Sequence, residues 1–166
     1  HEAELPVLGI CLGAQLIAHA LGGAAGPMES APEVGFEKVD LLVPAQTHVV
    51  MAGVPWSAKW FQCHSHEVKD LPAGAALLGS SERCKVQAFT AGLRTYGVQF
   101  HFEADLPMLK AIVKADHDQM AAANMTMDQL AAHAEEHYAR FAVMSDRLCL
   151  NLVENVFSYR QFKSAS

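Results

Sequence analysis

The chain has 166 residues, room for one domain and little else, and 51% of them are apolar against 18% charged, so a substantial core can be buried and long disordered tails are disfavoured. Eighteen acidic against twelve basic residues leave a net charge of -6, which argues against nucleic acid or an anionic membrane surface as the main partner. Four cysteines, Cys11, Cys63, Cys84 and Cys149, show neither CxxC nor regular spacing, so reduced thiols in a cytoplasmic setting are the simpler reading.

In chain order, Leu5 to Ile10 is a short apolar run of the kind found in a central parallel strand covered on both faces. Leu12, Leu16, Ile17, Ala20 and Leu21 then fall at helical spacing, with Gly22-Gly23 as a stop. The stretch from Leu5 to Ala25 is apolar apart from Gln15 and His19. Acidic residues precede it and glycines punctuate it, so it reads as neither signal peptide nor membrane helix. A loop rich in Gly, Ala and Pro runs to Pro32, and Val34 to Val43 alternates as a half-exposed strand would. Short strands are expected at Lys59 to His64, Ala76 to Ser80, Val86 to Thr90 and Arg94 to Phe100.

From Asp105 the pattern turns helical. Leu106 to Lys114 reads as a short helix, and Thr126-Met127-Asp128-Gln129 matches a capping box that opens a long one. Leu130, Ala134, Phe141, Met144, Leu148, Leu152 and Val156 mark its apolar face, so this tail is expected to pack on the same core.

Chemistry concentrates at two places. Gly9-Ile10-Cys11-Leu12-Gly13 puts a cysteine between a buried strand and a helix with glycine at minus two and plus two, the spacing of a nucleophile elbow. So sharp a turn crowds neighbouring backbone, and the helix N-terminus favours a thiolate at Cys11 while the Leu12 N–H points where an oxyanion would form. The alternative is a buried structural cysteine. The second place is Tyr96-Gly97-Val98-Gln99-Phe100-His101-Phe102-Glu103. In an extended segment residues i and i+2 point the same way, so Glu103 can hold one imidazole nitrogen of His101 and leave the other free as base and acid. A satisfied structural histidine at a strand end is the alternative.

Cys63-His64-Ser65-His66-Glu67 also permits a metal reading, with His64 and His66 on one face of a strand joined by His101 and Glu103. Zinc-site cysteine spacing and a His-Glu-x-x-His helix are both missing, which disfavours it. His19, His48, His117, His133 and His137 are most simply surface residues.

Gly-Ile-Cys-Leu-Gly-Ala-Gln at 9–15, Gln87-Ala88-Phe89, and Tyr-Gly-Val-Gln-Phe-His-Phe-Glu at 96–103 together resemble the class I glutamine amidotransferases, in particular free-standing proteins similar to the amidotransferase part of GMP synthase. The likeness runs from about Pro6 through Glu103. It implies an α/β fold, an open, mostly parallel, flavodoxin-like sheet with flanking helices. It further implies a Cys11-His101-Glu103 triad and a pocket for glutamine in which Gly13, Gln15, Ser65 and His66 take part, the last two largely through backbone groups. No metal or organic cofactor is implied.

The activity implied is hydrolysis of the glutamine side-chain amide through a γ-glutamyl thioester, with a synthetase subunit as possible ammonia acceptor, since no Gly-rich phosphate loop occurs in this chain. Phe102 stands where the family usually has proline, and His66 where an acidic residue is common. A γ-glutamyl peptide hydrolase on the same triad, and a non-catalytic binding subunit, are the alternatives. The family places several β/α units, including a loop with a second oxyanion donor, before the nucleophile. Only ten residues precede Cys11, so His1 is expected to mark a break inside a domain. On that reading residues 1–115 are the C-terminal part of the amidotransferase domain, 116–166 a helical extension, and the isolated chain poorly soluble and little active.

Overall fold

In the computed structural model, which describes residues 5–115 and 117–157, β1 (Val7–Ile10) hands its chain directly to α1 (Leu12–Ala20) through Cys11. Two strands follow, β2 (Ala24–Pro27) and β3 (Glu33–Leu41), then a one-turn helix α2 (Val43–Gln46) and a 3-10 turn at Val49–Met51. The β-rich middle comprises β4 (Ser57–His64), β5 (His66–Asp70), β6 (Ala76–Ser80), β7 (Ala88–Ala91) and β8 (Thr95–Val98), and the chain closes with α3 (Leu106–Ala115), α4 (His117–Ala122) and α5 (Met127–Asn155).

Six strands form one sheet in the order β1-β8-β7-β6-β3-β4, and β2 pairs with β5 in a separate two-stranded ribbon. The α/β class with flanking helices holds, but over this chain the sheet is mixed rather than mostly parallel. β1 beside β8 is the one parallel pairing among the described residues; every other neighbour is antiparallel. The reason is the connections: β1 leaves the sheet through α1, whereas β7 and β8 are joined by the tight Gly92-Leu93-Arg94 turn, which returns the chain antiparallel. β1 also lies at an edge of the described sheet with three of its four residues half-buried, not at the centre.

The apolar face expected on α1 is only partly turned inward, with Ile17 half-buried against the strands. Leu12 and Leu16 are exposed, while Ala14, Gln15 and Ala18 are buried, the two alanines against Val68, Val86 and Phe89. Small residues on that side let the helix lie close to the strands. Within the supposed Gly-Ala-Pro loop the structure finds β2, because its partner β5 supplies a backbone ladder that composition does not reveal.

Helix α5 follows the expected pattern. Thr126 accepts from the Gln129 N–H at 3.2 Å and Gln129 Oε1 accepts from the Thr126 N–H at 2.8 Å, a reciprocal capping box. Leu130, Phe141, Met144, Leu148, Leu152 and Val156 are buried in the cluster that holds Val34, Phe36, Trp60 and Phe61, each contributing on the order of 1.5–3 kcal/mol. Buried Asn151 donates to the carbonyls of Val50 and Ala52 at 2.9 and 2.7 Å, clamping the 3-10 turn to the helix. Among the described residues no helix is long and apolar enough to cross a membrane.

Candidate active site

Cys11 sits at the strand-to-helix junction with φ 51°, a left-handed conformation that L-residues rarely adopt and that a tightly packed turn must hold in place. Its N–H donates to the Val98 carbonyl at 2.8 Å, which locks the elbow onto β8. The two flanking glycines serve differently. A Cβ on Gly9 would lie 2.4 Å from the backbone of Gly13, so the turn forbids a side chain there, whereas a Cβ on Gly13 would meet nothing within 4 Å. Only the first glycine is a steric requirement of the turn. At the start of α1 the amides of Ala14 and Gln15 donate to the Cys11 carbonyl, leaving those of Leu12 and Gly13 with no backbone acceptor among the described residues.

The strand end after β8 brings the second group. Beyond Val98 the chain stays extended: Gln99 donates its N–H to the Gln87 carbonyl at 2.8 Å, and His101 donates its N–H to Phe61 of β4 at 2.8 Å. His101 thereby bridges from β8 to the far edge strand of the sheet. Its Nδ1 meets Glu103 Oε1 at 2.8 Å, which leaves Nε2 available to the Cys11 sulfur. Burial pulls the imidazole down, but Cys11 and Glu103 outweigh it, and the His101 pKa is pushed up to about 9. Between them Phe102 is buried beside Phe100, and its carbonyl accepts from the Ser145 hydroxyl of α5, so the long helix steadies the His-x-Glu segment.

The third wall is the corner between β4 and β5. Cys11 Sγ makes a long contact of 3.9 Å to the Cys63 carbonyl, and Gln15 Nε2 donates to the His66 carbonyl at 2.8 Å. All the residues expected at the site therefore gather in one region, with a qualification. The His66 carbonyl accepts from both Gln15 and His64 and so has both lone pairs engaged, whereas the Ser65 carbonyl accepts one bond, from Met28 N–H at 2.9 Å, and keeps a second lone pair. The Gln15 amide nitrogen is likewise engaged, by His66 and by Gln99 Oε1 at 3.1 Å.

Two contributors escaped sequence reasoning. Gln99 Nε2 lies 3.6 Å from Cys11 Sγ. Its signal was present, since Gln99, His101 and Glu103 alternate on one side of an extended segment. The other is a buried network around Glu33, a cross-strand partner of His64 in the β3–β4 register. Glu33 Oε2 meets His64 Nε2 at 3.0 Å and accepts from Gln87 Nε2 at 2.8 Å, while Oε1 accepts from the Ser81 hydroxyl at 3.1 Å, with Arg83 Nε 3.7 Å away. Burial pushes the Glu33 carboxyl up, but His64, Ser81 and Arg83 prevail and hold it below its ordinary value.

The disfavoured metal alternative required His64, His66, His101 and Glu103 together; His64 is committed to Glu33 and to the His66 carbonyl, and His66 is exposed across the strand break at Ser65, so that grouping is not formed. Among the described residues the one set of potential ligand atoms within reach of each other is Glu33, His64 and Cys84. Its carboxylate is saturated by hydrogen bonds, and burial pushes the Cys84 thiol strongly up, away from the thiolate a metal requires. The expected surface histidines divide. His19 is exposed, but His48, His133 and His137 are not fully so, since an imidazole can pack like an aromatic ring: His48 against Tyr96 at 5.4 Å and His137 against Phe36 at 5.9 Å. The side chain of His117 lies outside the described residues.

Comparison with known proteins agrees with this geometry. Residues 1–119 match the family model for glutamine amidotransferase class-I. Over 103 residues the chain is 42% identical to a glutamine-hydrolyzing GMP synthase subunit of Thermococcus kodakarensis and 41% identical to its counterpart in Methanocaldococcus jannaschii. Each match covers 61% of this chain and 53% of the relative, so the chain spans about half the length of the relatives it matches. The crystal structure of a glutamine amidotransferase from Thermotoga maritima superposes with a TM-score of 0.76 at 27% identity, covering 95% of this chain and 65% of that one. A GMP synthase subunit protein from Thermoplasma acidophilum gives 0.55 at 29% identity, covering 70% and 61%. With a family match over most of its length and the same fold, the chain belongs to the class I glutamine amidotransferases.

Proposed function

We propose that this chain carries the glutaminase half-reaction of an amidotransferase, with Cys11 as nucleophile, His101 as proton carrier and Glu103 as its orienting partner. The observation that supports it most is the left-handed Cys11 at the head of α1 facing an imidazole that a carboxylate holds at 2.8 Å. The thiolate attacks the side-chain amide carbon of glutamine, and the electron pair displaced onto oxygen is met by the Leu12 N–H at the helix N-terminus. Collapse of that intermediate breaks the C–N bond while protonated His101 delivers its proton to the leaving nitrogen as ammonia departs. The resulting γ-glutamyl thioester is attacked by water, whose proton returns to His101, and glutamate leaves with regeneration of the thiolate. The raised imidazole pKa suits this cycle, since it keeps the His101 ring protonated at neutral pH and so able to deliver a proton to the leaving nitrogen.

The relatives are named as subunits of a glutamine-hydrolyzing synthase, so the natural consumer of the ammonia is a synthetase on another chain. The test is mass spectrometry after treatment with a glutamine-mimicking diazo ketone, together with ammonia release from glutamine with and without a candidate synthetase. One covalent adduct on Cys11 of the full-length protein, abolished in Cys11→Ala, is expected; an unmodified full-length protein would refute the assignment.

A further inference from the structure

The mechanism leaves one buried titratable pair unused. Glu33 and His64 are directly opposed in the β3–β4 ladder and nearly inaccessible, and neither touches Cys11, His101 or Glu103 in any described bond. A pair held only for packing would be expected to close on itself. Instead, His64 turns its second nitrogen outward along the chain: Nδ1 lies 3.0 Å from the carbonyl of His66, two residues on and past the end of its own strand.

The orientation of the ring follows from its partners. A carbonyl oxygen can only accept, so Nδ1 donates to His66, while Nε2 is held against the Glu33 carboxylate, which also accepts from Gln87 and Ser81. The same His66 carbonyl takes a second bond from Gln15, whose amide continues to Gln99, whose own amide nitrogen reaches Cys11 Sγ. An unbroken chain of contacts thus runs from a buried carboxylate through the β4–β5 corner to the nucleophile, and the corner carbonyl is its junction.

Resting on the triad reading above, we infer that Glu33 and His64 are positioning residues for substrate binding: through the His66 carbonyl they set the distance between the Ser65–His66 wall and the Cys11 elbow. His64 makes the bond, and Glu33 keeps the imidazole aimed. The role is confined to geometry, because both residues are separated from the reacting atoms by the corner itself.

The two nitrogens of His64 can be replaced one at a time. Asparagine carries its amide nitrogen near the Nδ1 position and glutamine near Nε2, so H64N keeps a donor to the His66 carbonyl and H64Q keeps one to Glu33. Each variant and the wild-type chain would be treated with the glutamine-mimicking diazo ketone over a range of concentrations and, separately, with iodoacetamide, which alkylates Cys11 without needing the amino-acid pocket. In H64Q the half-saturating concentration of the diazo ketone is expected to rise about tenfold, the scale of one lost buried hydrogen bond, with the iodoacetamide rate within about twofold of wild type. H64N should recover most of that loss.

Equal half-saturation in H64Q and wild type would overturn the inference, and so would equal loss in H64N and H64Q accompanied by a fall in iodoacetamide rate, which would mark a general structural defect. Should H64Q fail to fold by circular dichroism, E33Q, which keeps size and an acceptor oxygen, takes its place with the same expectation at smaller amplitude. The failure of the triad reading looks different: there, wild-type chain itself shows no saturable labelling by the diazo ketone.

Discussion

His101 and Glu103 meet at 2.8 Å on a strand end where the carboxylate is 32% exposed, whereas His64 and Glu33 meet at 3.0 Å with both side chains 2% exposed. In the first pair the carboxylate makes this one described bond and the imidazole keeps a nitrogen free toward a thiol; in the second every ring nitrogen and both carboxylate oxygens are occupied. On the roles proposed above, identical side chains are put to opposite uses. A pair meant to move a proton must leave one position open and one partner able to change charge, while a pair meant to hold backbone needs every position filled and water kept out.

The contrast can be broken by substitution. Glu103→Gln should lower glutamine hydrolysis by roughly 10²–10⁴-fold, as expected when the group orienting a catalytic histidine is neutralised, while changing stability by less than about 1 kcal/mol because the pair is half-open. It should also move the alkaline limb of the pH–rate profile to lower pH, since His101 loses one of the partners that hold it near 9. Glu33→Ala should do the reverse, costing about 3–5 kcal/mol in a urea titration by leaving His64, Gln87 and Ser81 facing a buried void. A normal unfolding midpoint in that variant would erase the distinction between the pairs.

The elbow that presents Cys11 to the reactive pair offers a smaller, one-sided effect. Gly9→Ala places a methyl 2.4 Å from the Gly13 backbone and should cost about 1–3 kcal/mol with loss of Cys11 labelling, whereas Gly13→Ala meets open space and should melt close to wild type. Comparable melting temperatures for the two would show that the turn is looser than its geometry indicates.

The smallest effect is on pH dependence, where the two pairs act at opposite ends. Glu33 is held below its ordinary value, so its stabilisation is full above that value and is lost as pH falls through the lowered one; E33Q should flatten the acid side of a stability–pH curve. His101 is raised from 6.5 to about 9, so its stabilisation is full below 6.5 and disappears as pH rises through 9; Glu103→Gln should flatten the alkaline side.

Most of what is legible in the sequence is local. The elbow spans five residues and His-x-Glu three, and within such distances backbone geometry alone decides which way a side chain points. The capping box at Thr126 and the buried stripe of α5 are legible for the same reason. The buried face of α1 is not, because spacing reveals periodicity and not direction: Leu12 and Leu16 recur properly, yet the alanines approach the strands. Strands β2 and β5 escape notice because each is short and finds its hydrogen bonds only in the other.

Local motifs were therefore enough to pick out the three side chains proposed for the chemistry and to carry the family resemblance that implied the α/β class. Tertiary structure alone decided which long-range partners meet. That Glu33 stands opposite His64, 31 positions away, depends on the β3–β4 register, and a slip of one residue would turn every side chain of the strand to its other face. The pair proposed for catalysis is written within three consecutive residues; the pair that braces the pocket exists only because two strands were paired in one register and not the next.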